Sequence, residues 1–175
     1  MSASPIPSPP LPELPPGFAE GGASHADLDA IRQIEAEGFP APWRRDYFEQ
    51  ELTQAQRFNR VIRQLPPPDS GKRGPGDTIA YLFCAYLLDE MHVNKIAVRR
   101  DFEGQGFACH LMLRAFDFAR THGVALMTLE VRSTNDRAIR FYERLGFDRI
   151  YVRKAYYSDG EEATVMHKTF EDSAG

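Results

Sequence analysis

The stretch from Lys95 to Ala108 constrains this chain more than any other part of it. It opens as a short apolar run with β-branched residues, Lys95-Ile96-Ala97-Val98, which predicts a strand. It then passes through Arg99-Arg100-Asp101-Phe102-Glu103-Gly104-Gln105-Gly106 and enters a helical pattern, with Ala108, Leu111, Met112, Ala115, Phe116 and Ala119 at three- and four-residue steps. Strand, glycine turn and helix start can aim several backbone N–H groups at one anion. Glycine has no side chain to block a close approach, and the first helical turn has unpaired N–H groups and a positive dipole end. The stretch therefore predicts a phosphate or pyrophosphate cradle over Gly104 to Ala108. The plainer alternative is a turn that contains glycines only because its backbone needs them. It is not a P-loop, because no Gly-Lys-Ser/Thr follows, nor a dinucleotide fingerprint, because Gly104-Gln105-Gly106 leads to Cys109 where a third glycine is required.

The remaining chain narrows the setting. Its 175 residues suit one domain, and 42% hydrophobic with 26% charged residues is ordinary for a water-soluble fold. No apolar run reaches the roughly eighteen residues of a membrane span. The N-terminus has neither a basic leader nor an apolar core of a secretion signal, so a cytoplasmic protein is expected. Cys84 and Cys109 lie in apolar patterns and read as buried thiols; as a metal pair they lack completing ligands, so no metal is expected. The net charge of −4 speaks against general nucleic-acid binding.

Residues 1–22 carry Pro5, Pro7, Pro9, Pro10, Pro12, Pro15 and Pro16 and predict a disordered or polyproline-like tail, either plain or a docking peptide. A folded domain is expected over 23–171, with a short tail at 172–175. Ser24 reads as an N-cap, and Leu28, Ile31 and Ile34 give a helix face ending near Gly38. Phe39-Pro40-Ala41-Pro42-Trp43 follows; Pro42 starts a second helix through Tyr47, Phe48 and Leu52. Phe39 and Trp43 fit either core or a pocket at that junction. Strands are predicted at Arg60–Leu65, Thr78–Leu88, Glu90–Val98 and Leu126–Val131, the second buried on both faces. Asn135 opens a further helix, carrying Ala138, Phe141, Tyr142 and Leu145 and closed by Gly146. Phe147–Tyr157 and Ala163–Phe170 close the chain as two strands. The order α-α-β-β-β-α-β-α-β-β implies an α/β fold with a mixed sheet and helices on both faces.

Leu129-Glu130-Val131-Arg132-Ser133-Thr134-Asn135 and Ala138-Ile139-Arg140-Phe141-Tyr142-Glu143-Arg144-Leu145-Gly146-Phe147 follow the opening stretch in order. Together these segments resemble the GNAT acyltransferases, and most closely the RimI-type protein N-terminal acetyltransferases. The likeness covers about residues 24 to 170 and includes Phe39-Pro40, Trp43 and Tyr156-Tyr157. It implies a mostly antiparallel central sheet splayed at the cofactor site, acetyl-CoA as co-substrate, and direct transfer without a covalent enzyme intermediate. By this resemblance Glu103, Gly104, Gln105, Gly106, Phe107 and Ala108 hold the CoA pyrophosphate, with Ile96, Ala97 and Val98 alongside. The Val98 N–H polarises the thioester carbonyl, Glu130 is the general base through a water, and Tyr142 protonates the departing sulfur. Asn135 and Tyr142 contact the pantetheine arm, while Phe39, Pro40, Trp43, Tyr156 and Tyr157 hold the acceptor. The implied acceptor is a protein N-terminal α-amine, that of a small-subunit ribosomal protein.

Each of these roles has a plainer rival. Glu130 also fits a strand carboxylate paired with Arg132 or another cation, and Tyr142, Tyr156 and Tyr157 fit ordinary packing aromatics. A GNAT enzyme acting on a small amine or a lysine side chain is a rival function. So is a non-catalytic module that binds CoA, or a partner through the proline-rich tail. One residue departs from the family pattern: Glu103 stands where Gln or Arg is usual, three positions before Gly106. A carboxylate repels a pyrophosphate, so Glu103 is expected to offer its backbone N–H and turn its side chain away, with Arg99 and Arg100 offsetting its charge.

Overall fold

Leu126–Arg132, strand β5, pairs with neighbours of both orientations and so marks where the sheet changes character. The computed structural model describes residues 12–71, 74 and 76–170. The other strands are β1 Phe18–Gly22, β2 Arg57–Gln64, β3 Asp77–Leu87, β4 Glu90–Val98, β6 Asp148–Arg153 and β7 Ala163–Thr169. The helices are α1 Leu28–Gly38, α2 Arg45–Thr53, α3 Phe107–Thr121 and α4 Asp136–Arg144. The strands form one open seven-stranded sheet in the order β1-β2-β3-β4-β5-β7-β6. The β1–β2, β2–β3, β5–β7 and β6–β7 pairs are antiparallel, and β4–β5 is parallel. The described residues divide into two compact units, one of 12–85 with 94–118 and the other of 86–93 with 119–170.

In the first unit the core is aromatic and aliphatic. Leu28, Ile31 and Ile34 of α1 and Phe48 of α2 cluster with Val61 of β2 and Tyr81 and Phe83 of β3. Phe48 lies 5.8 Å from Tyr81 and 5.3 Å from Phe83, both edge-to-face, each pair worth about 1 kcal/mol beyond area burial. The opposite face of β2 carries Phe58, whose ring lies 4.7 Å from Phe118 of α3. Helices thus cover both faces of these strands, as the element order implied. Between β1, β2 and α3, Glu20 is ion-paired to Arg60 and to Arg114 at 2.8 Å, and lies 3.6 Å from His110 Nε2.

The second unit alternates cleanly along β5. Met127, Leu129 and Val131 are buried, while Thr128, Glu130 and Arg132 on the other face are half-buried. Helix α4 starts where the sequence placed it: Asn135 Oδ1 accepts from the Ala138 N–H at 3.1 Å. It ends on Gly146 at φ 85°, with Gly146 N–H on Glu143 O and Phe147 N–H on Tyr142 O, a Schellman closure. Cys84 is buried and Cys109 half-buried, and both are free thiols; burial pushes the Cys84 thiol up.

The second strand starts at Arg57, three residues before the expected Arg60, and three further boundaries differ for a local reason. The predicted tail of 1–22 lies outside the described residues up to 11, but Phe18–Gly22 is a strand. Pro15 and Pro16 precede it, Gly17 at φ 85° turns the chain into register, and Phe18 packs on Phe107 at 4.8 Å. The second helix begins at Arg45 rather than Pro42, because Trp43 N–H is held by the Glu35 carboxylate at 2.8 Å and Arg44 stays extended. The strand expected to reach Tyr157 stops at Arg153, followed by Ala155 at φ 48°. The C-terminal tail at 172–175 lies outside the described residues.

Candidate active site

The glycine turn of the first unit is where the sequence predicts an anion cradle. Gly104 and Gly106 have φ of 75° and 89°, and a Cβ added at either would meet no protein atom within 4 Å. The turn therefore needs glycine for conformation, and both glycines face open space. Gln105 ties the turn down by donating to Asp101 O at 3.1 Å, and Gly106 O accepts the His110 N–H at 2.9 Å. Phe107 is buried and begins α3, and Ala108 follows half-buried. Ile96, Ala97 and Val98 are half-buried and finish β4; the next N–H, Arg99, donates to Ile79 O at 2.7 Å.

Glu103 corrects an expectation. Its backbone N–H donates to Arg100 O at 3.2 Å and so serves the turn rather than facing a ligand; its side chain is exposed. Arg99 stacks 4.6 Å over the Phe102 ring, and Arg100 donates to Glu37 O at 3.4 Å.

The helix junction of the same unit is built on a buried acid. Glu35 is fully buried, accepts from Trp43 N–H and from the Tyr81 hydroxyl, and lies 3.4 Å from Lys95 Nζ. Lys95 in turn stands 3.7 Å from the Phe39 ring centroid and 5.3 Å from that of Trp43. Phe39 and Trp43 are thus half-buried walls around a lysine, while Pro40 is exposed. The sequence reading missed Glu35, Lys95 and Tyr81 as a set; the only local signal was an acid directly after buried Ile34 on the apolar side of α1.

The second unit holds Glu130, expected from the sequence to be the general base, and its partners. Glu130 Oε2 lies 2.9 Å from His92 Nε2, and Oε1 lies 3.0 Å from Arg153 Nη1. The His92 hydrogen bond is the main reason its carboxyl is held below the usual range; burial pulls the other way and Arg153 adds to the lowering. Glu130 is therefore an ion-paired carboxylate, but not with Arg132. That guanidinium is bound to Asp159 at 2.8 Å and to Glu161, and it lies 4.1 Å from the Tyr157 ring. Arg153 lies 4.8 Å from the Tyr156 ring, and the two tyrosine rings are 5.1 Å apart. Burial, with the Glu130 charge nearby, raises the Tyr156 phenol, and burial pushes Tyr157 up to about 12. The Tyr156 and Tyr157 N–H groups both donate to Glu161 O at 3.1 Å, so the pair sits on a turn rather than in a strand.

Glu130, Tyr156 and Tyr157 are thus brought together, with His92 and Arg153 as partners the sequence did not single out. Tyr142 is buried on α4, 5.2 Å from Phe141 and 5.7 Å from Phe147. Asn135 is exposed with its carbonyl oxygen engaged as a helix cap. Among the described residues no cluster of three His, Cys, Asp or Glu could hold a metal, and no helix is long and apolar enough to cross a membrane.

Residues 28–147 match the acetyltransferase (GNAT) family. Ribosomal protein bS18-alanine N-acetyltransferase of Escherichia coli (strain K12) is 32% identical over 143 residues, which span 80% of this chain and 88% of the relative. The crystal structure of the ribosomal-protein-S18-alanine N-acetyltransferase from Escherichia coli superposes with a TM-score of 0.75 at 28% identity, covering 90% of this chain and 98% of that one. Arabidopsis thaliana NAA60 in complex with acetyl-CoA shares the fold, with a TM-score of 0.77 at 15% identity over 87% of this chain and 98% of that one. The chain belongs to the GNAT acetyltransferase family, and it is an N-acetyltransferase.

Proposed function

We propose that the chain acetylates the N-terminal α-amine of ribosomal protein bS18, with acetyl-CoA as donor and therefore in the cytoplasm. The observation that carries this reading is the ionised Glu130 beside Tyr156 and Tyr157, in a chain 32% identical to a bS18-alanine N-acetyltransferase. Acetyl-CoA supplies an activated acyl group and a thiol leaving group. The chain's own residues do the rest. Backbone N–H groups from Gly104 to Ala108 hold the pyrophosphate over the open space above the glycines, with Ile96 and Ala97 alongside. The Val98 N–H steadies the negative charge that develops on the acyl oxygen. An α-amine titrates near 8 in water and must shed a proton before it attacks. Glu130, kept anionic by His92 and Arg153, accepts that proton through a water. Tyr142 returns a proton to the sulfur, and Asn135 uses its amide to steady the pantetheine arm while its carbonyl caps α4. Phe39, Pro40, Trp43, Tyr156 and Tyr157 hold the acceptor's first residues.

The test is incubation with acetyl-CoA and a peptide library varied at its first two positions, with the bS18 N-terminus included, read by mass spectrometry. The expected result is one acetyl group on the α-amine, with the bS18 peptide among the best acceptors. Acetylation confined to lysine side chains or small amines overturns the acceptor. No turnover with any peptide overturns the catalytic reading in favour of a binding module.

A further inference from the structure

His92 lies on β4 between two buried residues, Met91 and Val93, and faces the opposite way. Its ring bridges two residues of β5: Nδ1 is 2.8 Å from Thr128 Oγ1 and Nε2 is 2.9 Å from Glu130 Oε2. His92 is in register with Thr128, and Glu130 is the next residue on that face of β5. Strand pairing itself therefore delivers the imidazole to the carboxylate.

The chemistry of the two ring nitrogens then follows. An ionised carboxylate only accepts, so Nε2 carries a hydrogen, and Nδ1 is the atom that gains or loses a proton. When neutral, Nδ1 accepts from the Thr128 hydroxyl; when protonated, it donates to the same oxygen, and a hydroxyl serves in both roles. Proton uptake by His92 thus preserves both contacts and changes only the charge beside Glu130. Arg153 already supplies one permanent cation at 3.0 Å. A second cation weakens the carboxylate further as a proton acceptor. Other ionisable groups on this face include Arg132 of β5, His167 of β7 in register with Thr128, and Tyr156 after β6, whose phenol feels the Glu130 charge. Arg132 is committed to Asp159 and Glu161.

We propose that His92 is a positioning residue for the acyl transfer: its Nε2–H orients the Glu130 carboxylate, and its charge state sets how readily that carboxylate takes the acceptor's proton. The inference rests on Glu130 as the base. It is tested by kcat against pH, with both substrates saturating, for the natural chain and for His92→Gln, His92→Leu and Glu130→Gln. Glutamine keeps an N–H donor and does not titrate. In His92→Gln the acid limb of kcat disappears or moves by about one pH unit or more. His92→Leu loses the orientation, and kcat falls about tenfold or more across the range with little change in the KM for acetyl-CoA; His92→Gln recovers most of that loss at high pH. An acid limb unmoved in His92→Gln, or natural rates from His92→Leu, overturns the inference. Full activity in Glu130→Gln instead overturns the base itself; an inactive Glu130→Gln with both His92 variants behaving as the natural chain overturns only the role of His92.

Discussion

Glu35 and Glu130 are both acids drawn into ordered surroundings, one in each compact unit, and they are held in opposite ways. Glu35 is fully buried, and its partners are a backbone N–H, a buried phenol and Lys95, whose side chain is only 13% exposed. Glu130 is 14% exposed, and its partners His92 and Arg153 are 38% and 46% exposed. The first carboxylate is enclosed by the groups it satisfies, and those contacts organise the α1–α2 junction. The second keeps a guanidinium and an imidazole that water reaches, so its proton affinity can be tuned and its remaining lone pairs can serve a reaction. Paired acids are common to both units; they differ in whether the partners themselves meet solvent.

Exchanging the two acids for amides should split stability from rate. The largest effect is expected from Glu130→Gln, which lowers kcat by about 10²–10⁴ in a thioester-consumption assay. The same variant should melt close to the natural protein, because ion pairs whose partners are solvent-screened contribute about 1 kcal/mol. The lowered Glu130 carboxyl also sets a sign with pH. Its stabilising share is complete above the ordinary carboxylate value of about 4.3 and is lost as pH falls through the lower folded value, so Glu130→Gln should flatten that acid loss. Glu35→Gln comes next and works the other way: removing one partner of a buried pair costs about 3 kcal/mol in denaturant unfolding, while kcat of the folded enzyme changes only a few-fold. If Glu35→Gln unfolds normally yet is inactive, the junction takes part in acceptor handling and the contrast fails. The smallest effect is expected at Glu103, whose N–H already serves the turn. Glu103→Gln should leave acetyl-CoA affinity unchanged or tighten it by about threefold or less in calorimetry, the scale of one solvent-screened charge; a large loss would give Glu103 a direct contact.

What was legible in the sequence was what local chemistry dictates. The turn over Gly104–Gly106 needs positive φ, the helix after it shows its face by spacing, and Asn135 with Gly146 announces both ends of α4. Glu130 was reachable through its surrounding motif. His92 was not, because alternation on β4 shows only that it faces away from the core; its partner is decided by the β4–β5 ladder, a non-local pairing. The network of Glu35, Lys95 and Tyr81 was hidden for the same reason, since its members are far apart in the chain. β1 was obscured because proline density was read past Pro16, although no proline falls within Phe18–Gly22.

That short first strand has a practical consequence. The sheet order ends at β1, so Phe18–Gly22 covers the outer backbone of β2 from Arg60 to Gln64. A chain trimmed back to Ser24, on the view that everything before it is dispensable, would turn β2 into a bare margin of unmatched N–H and C=O groups. It would also strip Glu20 from Arg60, His110 and Arg114. Uncovered strand margins recruit other chains, so such trimming would promote self-association, whereas a cut before Pro15 would keep the margin covered.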